Sequence, residues 1–308
     1  MKRVCAIDLG SNTVRLLVVE ASGKDWRALH EDQRVTRLGQ GLAATNQLDR
    51  AAMTRTVDVV AAFVRRALDL GACDIRIVAT SAVREAANRA EFLALIGSAT
   101  GRQALVVSGE DEARLTLLGL SEGLPHLGGE FLLFDIGGGS TEFVLARAGR
   151  AVWAVSLRLG VVELAERFTG PGPVDADAYD AMASEVGARL LAGLTEPVLR
   201  HGAPALVGSA GTVTTLAALD LGLQAYDATR VHGHRLTRPA VERLRRRLAA
   251  LGLAERAALP CLEPGRADLI VPGSAICLAA FDWLGFEALV VSDRGLREGI
   301  LYEILAED

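Results

Sequence analysis

The sequence predicts an α/β protein built from two related domains. Apolar strand-like segments alternate with amphipathic helical segments, and one strand–turn–strand pattern occurs twice, at Val4–Val19 and at Phe131–Ala146. Between the two copies, Gly123–Gly129 is rich in glycine, proline and histidine, as expected of a domain boundary. A length of 308 residues fits about two domains. We therefore expect an N-terminal domain over 1–124 and a C-terminal domain over 125–308.

The first copy of the pattern predicts a β-hairpin. Residues Val4–Val19 are apolar except near Leu9–Asn12, so Asp8 and Ser11–Thr13 are placed at the tip. The following segment has apolar residues at helical spacing and ends at Gly71, a typical C-terminal stop. The expected elements after the hairpin are, in order, a helix at Asp49–Leu70, a strand at Asp74–Ala79, a helix at Ala82–Leu95, a strand at Leu105–Ser108 and a helix at Glu110–Leu120.

The second copy repeats the order of residue types in the first. The alignment pairs Asp8 with Asp135, Gly10 with Gly137 and Thr13 with Ser140. Two hairpins that each open a sheet suggest two related α/β domains that face each other. The expected elements after the second hairpin are a helix at Ala178–Leu199, a strand that turns into a helix within Ala205–Leu219, a helix at Val241–Leu251, a strand at Ala288–Ser292 and a helix from Gly295 to the end.

Composition and charge exclude several classes of protein. Half of the residues are apolar, which argues against disorder. The 33 basic residues are outnumbered by 38 acidic ones, so the chain lacks the broad basic surface of a general nucleic-acid-binding protein. The N-terminus meets a charge at Asp8 and has no signal-peptide core, and the longest uncharged stretch is broken by Pro204, Gly208 and Gly211. We expect a cytoplasmic protein with neither a nucleic-acid nor a membrane partner.

The segment Asp135–Glu142, DIGGGSTE, carries the strongest chemical signal. Packing alone does not explain three consecutive glycines between strands, because glycines weaken the hydrogen-bonded ladder. The close approach of backbone N–H groups to an anion does explain them. The carboxylates of Asp135 and Glu142 suit Mg²⁺ beside phosphate oxygens, with Mn²⁺ as the alternative ion. A glycine-rich turn with capping carboxylates is the competing explanation, and the second copy at Asp8–Thr13 weakens it. The candidate phosphate-binding residues of the two hairpins are Ser11, Asn12, Thr13, Gly137, Gly138, Gly139, Ser140 and Thr141.

A further small-residue turn lies at Val207–Thr212, between a predicted strand and a predicted helix. The N-terminus of that helix has N–H groups that bind anions in other proteins. An ordinary tight turn with a threonine N-cap is the better explanation of the segment when it is considered alone. The candidate phosphate-binding residues here are Gly208, Ser209, Gly211 and Thr212.

Two charged segments suggest catalytic side chains. Arg84 follows a predicted strand, where its guanidinium is suited to neutralise a phosphate; the alternative is a surface salt bridge to Glu85 or Glu91. Three acids at 110–112 open a predicted helix, and one of them is suited to orient or deprotonate a water molecule. Stabilisation of the helix dipole explains the same three acids without catalysis.

Eight collinear segments resemble the exopolyphosphatase/guanosine pentaphosphate phosphatase family, a member of the actin-like superfamily of sugar kinases and chaperone ATPases. They cover essentially the whole chain, which makes the match more specific than any single glycine motif. In chain order they read AIDLGSNTVRLLV, ATSAVREAAN, SGEDEARL, DIGGGSTEF, GSAGTVTTLAAL, VHGHRLT, GRADLI and VSDRGLREGIL.

The resemblance implies two actin-like (ribonuclease H-like) domains, each with a mixed sheet and flanking helices, facing across a cleft. It implies Mg²⁺-dependent hydrolysis of a terminal phosphoanhydride, with the two hairpins holding successive phosphates. By position, it makes Glu112 the catalytic glutamate, Arg84 the active-site arginine, and Asp135 and Glu142 the metal-associated acids. The last helix is expected to pack back on the N-terminal domain.

The sequence departs from the family pattern in two places. Where the family usually shows S-L-P-L-G-x-V-R-L, this chain has Arg158 in place of proline and Glu163 in place of arginine. A reversed charge near the cleft is expected to affect affinity for the phosphate chain more than the chemistry. The chain also stops after the GLREG segment, as in the short two-domain form, so we expect shorter polyphosphates to be preferred.

Two remaining clusters favour structural roles. His232 and His234 form an H-x-H pattern without an evident third metal ligand. Four arginines on one predicted helix are expected to form a solvated face, with a polyphosphate-attracting patch as the alternative; they are Arg243, Arg245, Arg246 and Arg247.

The sequence therefore predicts a hydrolase that releases orthophosphate from the end of inorganic polyphosphate. Guanosine pentaphosphate is the alternative substrate, because it too ends in a phosphoanhydride. Two further functions are compatible with the same residues: an actin-like kinase or ATPase, and a non-catalytic alarmone-binding module. We expect a homodimer, since two-domain enzymes of this size often pair.

Overall fold

Two mixed β-sheets with flanking helices organise the chain in the computed structural model, which describes residues 1–195, 198, 200 and 202–307. One sheet belongs to unit 1, formed by residues 1–120 and 295–308, and the other to unit 2, formed by residues 121–294. The predicted α/β class with two mixed sheets is confirmed. The predicted domain boundary between residues 124 and 125 stays a prediction.

The sheet of unit 1 has five strands in the order β3-β2-β1-β4-β5. The predicted first hairpin is present as β1 and β2, while β4 and β5 continue the sheet in parallel with β1. The third strand, β3, is an edge strand that the sequence analysis did not predict. The strands are β1 Lys2–Leu9, β2 Thr13–Ser22, β3 Asp25–Val35, β4 Asp74–Ala79 and β5 Ala104–Val106.

The helices of unit 1 flank this sheet. Asp49 caps the longest of them, because its carboxylate accepts a hydrogen bond from the N–H of Ala52 over 2.9 Å. The helices are α1 Leu42–Thr45, α2 Arg50–Asp69, α3 Ser81–Glu85, α4 Arg89–Thr100, α5 Gly109–Ser121 and, at the end of the chain, α13 Leu296–Ala306.

The prediction of one helix over Ala82–Leu95 is wrong, because the chain breaks between α3 and α4. Ala86 is extended, and the Ala87 N–H donates to the carbonyl of Asn46 over 3.0 Å. The Asn88 side chain bonds both backbone groups of Leu48, over 2.9 Å and 3.0 Å. These hydrogen bonds to the loop before α2 replace the ones that a continuous helix would make.

The sheet of unit 2 has six strands in the order β10-β11-β9-β6-β7-β8. The predicted second hairpin is present as β6 and β7, β9 pairs in parallel with β6, and β11 pairs in parallel with β9. The strands are β6 Phe131–Ile136, β7 Thr141–Arg147, β8 Arg150–Leu157, β9 Leu206–Ser209, β10 Arg235–Thr237 and β11 Ala288–Val291.

Seven described helices surround the second sheet. The predicted helix at Ala178–Leu199 is observed up to Gly193, and Leu199 lies outside the described residues. No helix in the described part of the chain is long and apolar enough to cross a membrane. The helices are α6 Val161–Phe168, α7 Ala176–Gly193, α8 Ala210–Asp220, α9 Ala228–Val231, α10 Arg238–Ala250, α11 Leu253–Ala257 and α12 Ile270–Leu284.

The last helix, α13, completes the core of unit 1. Its Ile300 and Leu301 are buried in a cluster with Val4 of β1. A Cβ at Gly299 would lie 1.9 Å from the carbonyl oxygen of Leu115, so a glycine is required where α13 crosses α5. The end of the chain therefore belongs structurally to the unit in which the chain begins.

Candidate active site

The two hairpins close with the same turn. The Gly10 N–H donates to the carbonyl of Thr13 over 3.1 Å, and the Gly137 N–H donates to the carbonyl of Ser140 over 2.9 Å. A Cβ would lie 3.0 Å from the Thr13 oxygen at the first glycine and 2.9 Å from the Ser140 oxygen at the second. The repeat in the sequence is therefore a repeat of backbone geometry, and both turns favour glycine because the chain approaches itself closely.

The two hairpins differ in the residue that faces the aspartate. Asp8 stands opposite Arg15, with 3.9 Å between Asp8 Oδ2 and Arg15 Nη1. Asp135 stands opposite Glu142 at the equivalent position of the second hairpin. Only the second hairpin thus presents two carboxylates across its strands, as the sequence analysis predicted for Asp135 and Glu142.

Those two carboxylates lie in a row of four oxygen-bearing side chains across the sheet of unit 2. Ser209 of β9 is in register with Asp135 of β6, and Ser156 of β8 is in register with Glu142 of β7. The Ser209 hydroxyl donates to Asp135 Oδ2 and the Ser156 hydroxyl donates to Glu142 Oε1, each over 2.6 Å. Residues directly opposite in neighbouring strands share one face of a sheet. We call these four residues the acid row.

The acid row is chemically suited to a hard divalent cation. Its donors are all oxygens, and a serine hydroxyl orients each carboxylate, as neighbouring groups commonly do around bound metals. No cluster of three or more metal-ligating His, Cys, Asp or Glu residues occurs among the described residues. Two carboxylates nevertheless fit Mg²⁺, which usually retains several waters and shares its coordination with substrate phosphates.

The start of α6 packs against the glycine turn at 137–139 and hydrogen-bonds to it. The N–H groups of Val161 and Val162 donate to the carbonyls of Gly137 and Gly138 over 3.2 Å and 2.9 Å. A Cβ at Gly160 would lie 2.2 Å from the Gly138 oxygen. The Thr141 hydroxyl is buried and donates to the Leu159 carbonyl over 2.5 Å, so Thr141 fixes this turn.

The turn at Gly208–Thr212 adjoins the acid row through Ser209. Packing explains Gly208, because a Cβ there would lie 3.0–3.2 Å from the side chains of Val213, Leu289 and Phe134. Ala210 has a left-handed φ of 68°, an unfavourable conformation for a residue with a Cβ. The side chain of Thr212 lies against Gly273 of α12. Phosphate binding by this turn stays a prediction.

In unit 1 the structure brings Arg84 and Glu112 together. Arg84 Nη1 donates to Glu112 Oε2 over 2.9 Å and to the carbonyl of Val107 over 3.1 Å. The alternative of a salt bridge from Arg84 to Glu85 or Glu91 is not what forms, because Glu85 accepts from Ser81 and Glu91 pairs with Arg50.

The topology explains how these residues meet. Strands β1, β4 and β5 are parallel neighbours, so their carboxyl ends lie at one edge of the sheet. The hairpin tip follows β1, α3 with Arg84 follows β4, and α5 with Glu112 follows β5. The carboxyl edge of parallel strands is where ligands commonly bind in open α/β sheets.

A segment that the sequence analysis missed supports the tip of the first hairpin. The N–H groups of Thr36 and Arg37 donate to the carbonyl of Asn12 over 2.9 Å and 3.0 Å, and the Gly39 N–H donates to the carbonyl of Ser11 over 2.7 Å. Arg37 has a left-handed φ of 52°. Ser11, Asn12 and Thr13 are buried beneath this segment. Gly39 is the one residue of this segment whose type reflects the contact, because a Cβ there would come close to Ser11.

The charge reversal at Glu163 is compensated locally. Arg189 Nη2 and Nη1 donate to the Glu163 carboxylate over 2.6 Å and 3.1 Å, and Arg189 also donates to the carbonyl of Arg158 over 2.8 Å. The hydrogen bond from Arg189 holds the pKa of Glu163 below its usual value, although burial opposes this shift. The carboxylate that replaces the usual arginine is therefore already paired with a cation.

The remaining charged clusters have separate partners. His232 and His234 bind different groups, since His234 Nε2 lies 3.1 Å from Asp220 Oδ2 while His232 contacts the backbone at Gly123 and Asp293. Three of the four arginines singled out on α10 form ion pairs: Arg245 and Arg246 donate to Glu242, and Arg243 donates to Asp220.

The fold and these sites define a class of protein: a two-sheet α/β protein with an acidic, oxygen-lined site on its second hairpin. The model of the Ppx/GppA phosphatase family matches residues 17–308. The chain belongs to that family, which confirms the resemblance seen in its motifs.

Relatives of known name and structure agree with the family assignment. Exopolyphosphatase 2 of Mycobacterium tuberculosis is 34% identical over 97% of this chain and 98% of its own. The crystal structure of the Aquifex aeolicus member of the Ppx/GppA family matches at 30% identity with a TM-score of 0.82, over 100% of this chain and 99% of its own. An exopolyphosphatase from Cytophaga hutchinsonii matches at 26% identity with a TM-score of 0.90, over 99% and 98% of the two chains.

Proposed function

We propose that this chain is an exopolyphosphatase, which hydrolyses the terminal phosphoanhydride of inorganic polyphosphate and releases orthophosphate. Family membership and the similarity to Exopolyphosphatase 2 support this activity. The observation that carries it is the acid row, in which Asp135 and Glu142 stand directly opposite each other and each accepts a serine hydroxyl. A pair of oriented carboxylates next to a glycine turn is suited to polyanionic substrates whose charge needs a cation.

Glu112 is proposed to act on the attacking water. Its carboxylate accepts a proton from the water as the oxygen attacks the terminal phosphorus in line with the bridging oxygen that leaves. The bond between phosphorus and the bridging oxygen breaks, and the proton passes to the shortened chain or to solvent. Arg84 holds the Glu112 carboxylate over 2.9 Å and places a positive charge beside the water-activating group. Positioning and electrostatics of this kind supply most of the catalysis in phosphoryl transfer.

In unit 2, the backbone of the glycine turn and the acid row are proposed to bind phosphate and metal. Asp135 and Glu142 would hold Mg²⁺, with Mn²⁺ as the alternative. When bound, this ion supplies positive charge that offsets phosphate oxygens. Ser209 and Ser156 orient the two carboxylates, and the start of α6 keeps the glycine turn in place.

A phosphate-release assay tests the proposed activity against the competing functions. The purified chain is incubated with polyphosphate, guanosine pentaphosphate and ATP, each with Mg²⁺, and orthophosphate is measured. We expect the highest kcat/KM with polyphosphate. A higher value with guanosine pentaphosphate would assign the alternative hydrolase, transfer from ATP only to an added hydroxyl acceptor would assign a kinase, and binding without release from any substrate would overturn the enzymatic proposal. Polyphosphates of increasing length test the expected preference for shorter chains.

A cytoplasmic location and a homodimer are proposed with this function. The four cysteines are free thiols, as is usual for proteins of a reducing compartment. Light scattering after size-exclusion chromatography measures the mass directly. A mass near 32.5 kDa would identify a monomer, and twice that value the proposed dimer.

A further inference from the structure

One histidine joins the two places where the chain crosses between the units. The chain enters unit 2 at residue 121 and leaves it at residue 294. His232 Nε2 lies 2.9 Å from the carbonyl oxygen of Gly123, just after the entry. The N–H of Asp293, just before the exit, donates to His232 Nδ1 over 3.2 Å. A single imidazole therefore spans the entering and the leaving segments within unit 2.

The two partners define the protonation state of this imidazole. Nδ1 accepts an N–H and so carries no proton, whereas Nε2 faces a carbonyl, which only accepts, and so carries one. Only the neutral Nε2–H tautomer makes both hydrogen bonds. A protonated ring would carry a hydrogen on Nδ1 and lose the bond from Asp293.

The leaving segment continues directly to the acid row. The N–H of Ser292, next to Asp293, donates to the carbonyl of Gly208 over 2.8 Å. The residue after Gly208 is Ser209, whose hydroxyl donates to Asp135 Oδ2 over 2.6 Å. Ser292 is itself fixed, because its hydroxyl donates to the carbonyl of Arg294 over 2.8 Å and its own side chain accepts from the Arg294 N–H. Two residues, Asp293 and Ser292, thus link His232 to the turn that orients Asp135.

We propose that His232 is a positioning residue, which fixes the leaving segment against the entering one and thereby holds the turn at Gly208 and Ser209 in register with Asp135. This role rests on the proposed function, because it assumes that Asp135 takes part in hydrolysis. His232 touches neither substrate nor metal in this scheme. It acts through Asp293, Ser292 and Ser209.

Two variants separate the two halves of the contact. His232→Asn keeps an acceptor near the Nδ1 position and loses the donor to Gly123. His232→Gln keeps a donor near the Nε2 position and loses the acceptor for Asp293. In this proposal the acid row depends on the hydrogen bond between His232 and Asp293 and not on the one to Gly123. We therefore expect the Gln variant to affect the acid row and the Asn variant to leave it unchanged. His234→Gln is the matched control, because His234 is equally half-buried and its side chain contacts Asp220 instead.

Kinetics and amide exchange provide the measurements. For His232→Gln we expect the Mg²⁺ concentration for half-maximal activity to rise by up to about tenfold, because the effect reaches Asp135 only through Ser209, whose own loss typically costs about 10–100-fold. Amide exchange at residues 292–293 and 208–209 is expected to accelerate in the same variant. His232→Asn and His234→Gln are expected to stay close to the wild type in both measurements. Equal effects of the Asn and Gln variants, or unchanged exchange in His232→Gln, would overturn the proposal.

The tautomer and the exchange pattern keep this test separate from the proposed function. Nitrogen-15 chemical shifts of the imidazole report the tautomer without any turnover, and the Nε2–H form is expected. An Nδ1–H tautomer would overturn the contact itself. If the wild type released no orthophosphate while exchange at 208–209 still depended on His232, the proposed function would fail and the positioning of the turn would stand.

Discussion

Arg84 Nη1 lies 2.9 Å from Glu112 Oε2, and both side chains are largely shielded, with exposed fractions of 22% and 11%. The two residues come from helices that follow neighbouring parallel strands, so the sheet fixes their separation. The second contact of Arg84, to the Val107 carbonyl over 3.1 Å, holds the guanidinium against the start of α5. Arg84 thus orients the Glu112 carboxylate, and a fixed orientation is what its proposed role in directing a water molecule requires.

Glu112→Gln is expected to keep the fold and substrate binding and to lose most turnover. Glutamine has the same shape and can still accept from Arg84 through its amide oxygen, but it cannot accept a proton from water. A positioned acid–base group contributes roughly 10²–10⁴ in rate. Orthophosphate release gives the turnover, and titration calorimetry with polyphosphate gives the binding. Glu110→Gln, an exposed acid in the same first turn, is the control. Near wild-type turnover of Glu112→Gln would remove this residue from the mechanism.

Gly160→Ala is expected to displace the glycine turn at 137–139. The added methyl would lie 2.2 Å from the Gly138 oxygen and 2.4 Å from Gly139 backbone carbons, so either the turn or α6 must move. Forced repacking of this kind costs about 1–3 kcal/mol. The thermal unfolding temperature and kcat/KM with polyphosphate are both expected to fall. Gly172→Ala, where a Cβ meets no atom within 4 Å, provides the control. A destabilised variant at position 160 that keeps wild-type kcat/KM would contradict the expected displacement of the glycine turn.

Ser209→Ala is expected to weaken the binding of Mg²⁺ at the acid row. The change removes the donor that orients Asp135 and leaves the carboxylate itself in place. Loss of such an orienting group typically lowers metal affinity or activity about 10–100-fold. Activity is titrated with Mg²⁺ after removal of metal by a chelator, which should abolish turnover in both proteins. Ser274→Ala removes a buried hydroxyl that donates to a helix carbonyl and serves as the control. Equal Mg²⁺ dependence in the Ser209 and Ser274 variants would argue against a metal at Asp135.

Local patterns predicted the hairpins and missed three of the four edge strands, β3, β8 and β10. The hairpins and β4 follow from apolar runs bounded by turn residues, which neighbouring residues alone specify. The edge strand β3 is mostly exposed and carries many charges, so its sequence shows no apolar alternation. Helix α12 was missed for the opposite reason: it is buried on nearly all sides, and an all-round apolar segment has no helical stripe.

The candidate site likewise has one part that local sequence predicts and another that only the tertiary fold determines. The opposition of Asp135 and Glu142 is a property of one hairpin and could be predicted from its spacing. The bond from Ser209 to Asp135 joins residues 74 apart, and the pair of Arg84 and Glu112 joins residues 28 apart. Both depend on which strands become parallel neighbours, which is decided by the tertiary fold rather than by local sequence. Family resemblance supplied the role of Glu112, but only the structure supplied its partner.

Glu163→Gln is expected to lower stability at neutral pH and to matter progressively less in acid. Arg189 holds the pKa of Glu163 below its usual value in the folded protein, so the carboxylate stabilises the fold above the unfolded-state pKa. That contribution disappears as the pH falls through the lowered folded-state pKa, because the native carboxylate then becomes protonated. The measurement is urea unfolding followed by circular dichroism, over the range from pH 7 down to below the usual glutamate pKa of about 4.3. The difference in unfolding free energy between wild type and Glu163→Gln should shrink across it, whereas the exposed Glu287→Gln control should show little difference at any pH. A difference that stayed constant or grew in acid would show that the pairing with Arg189 does not lower the pKa of Glu163.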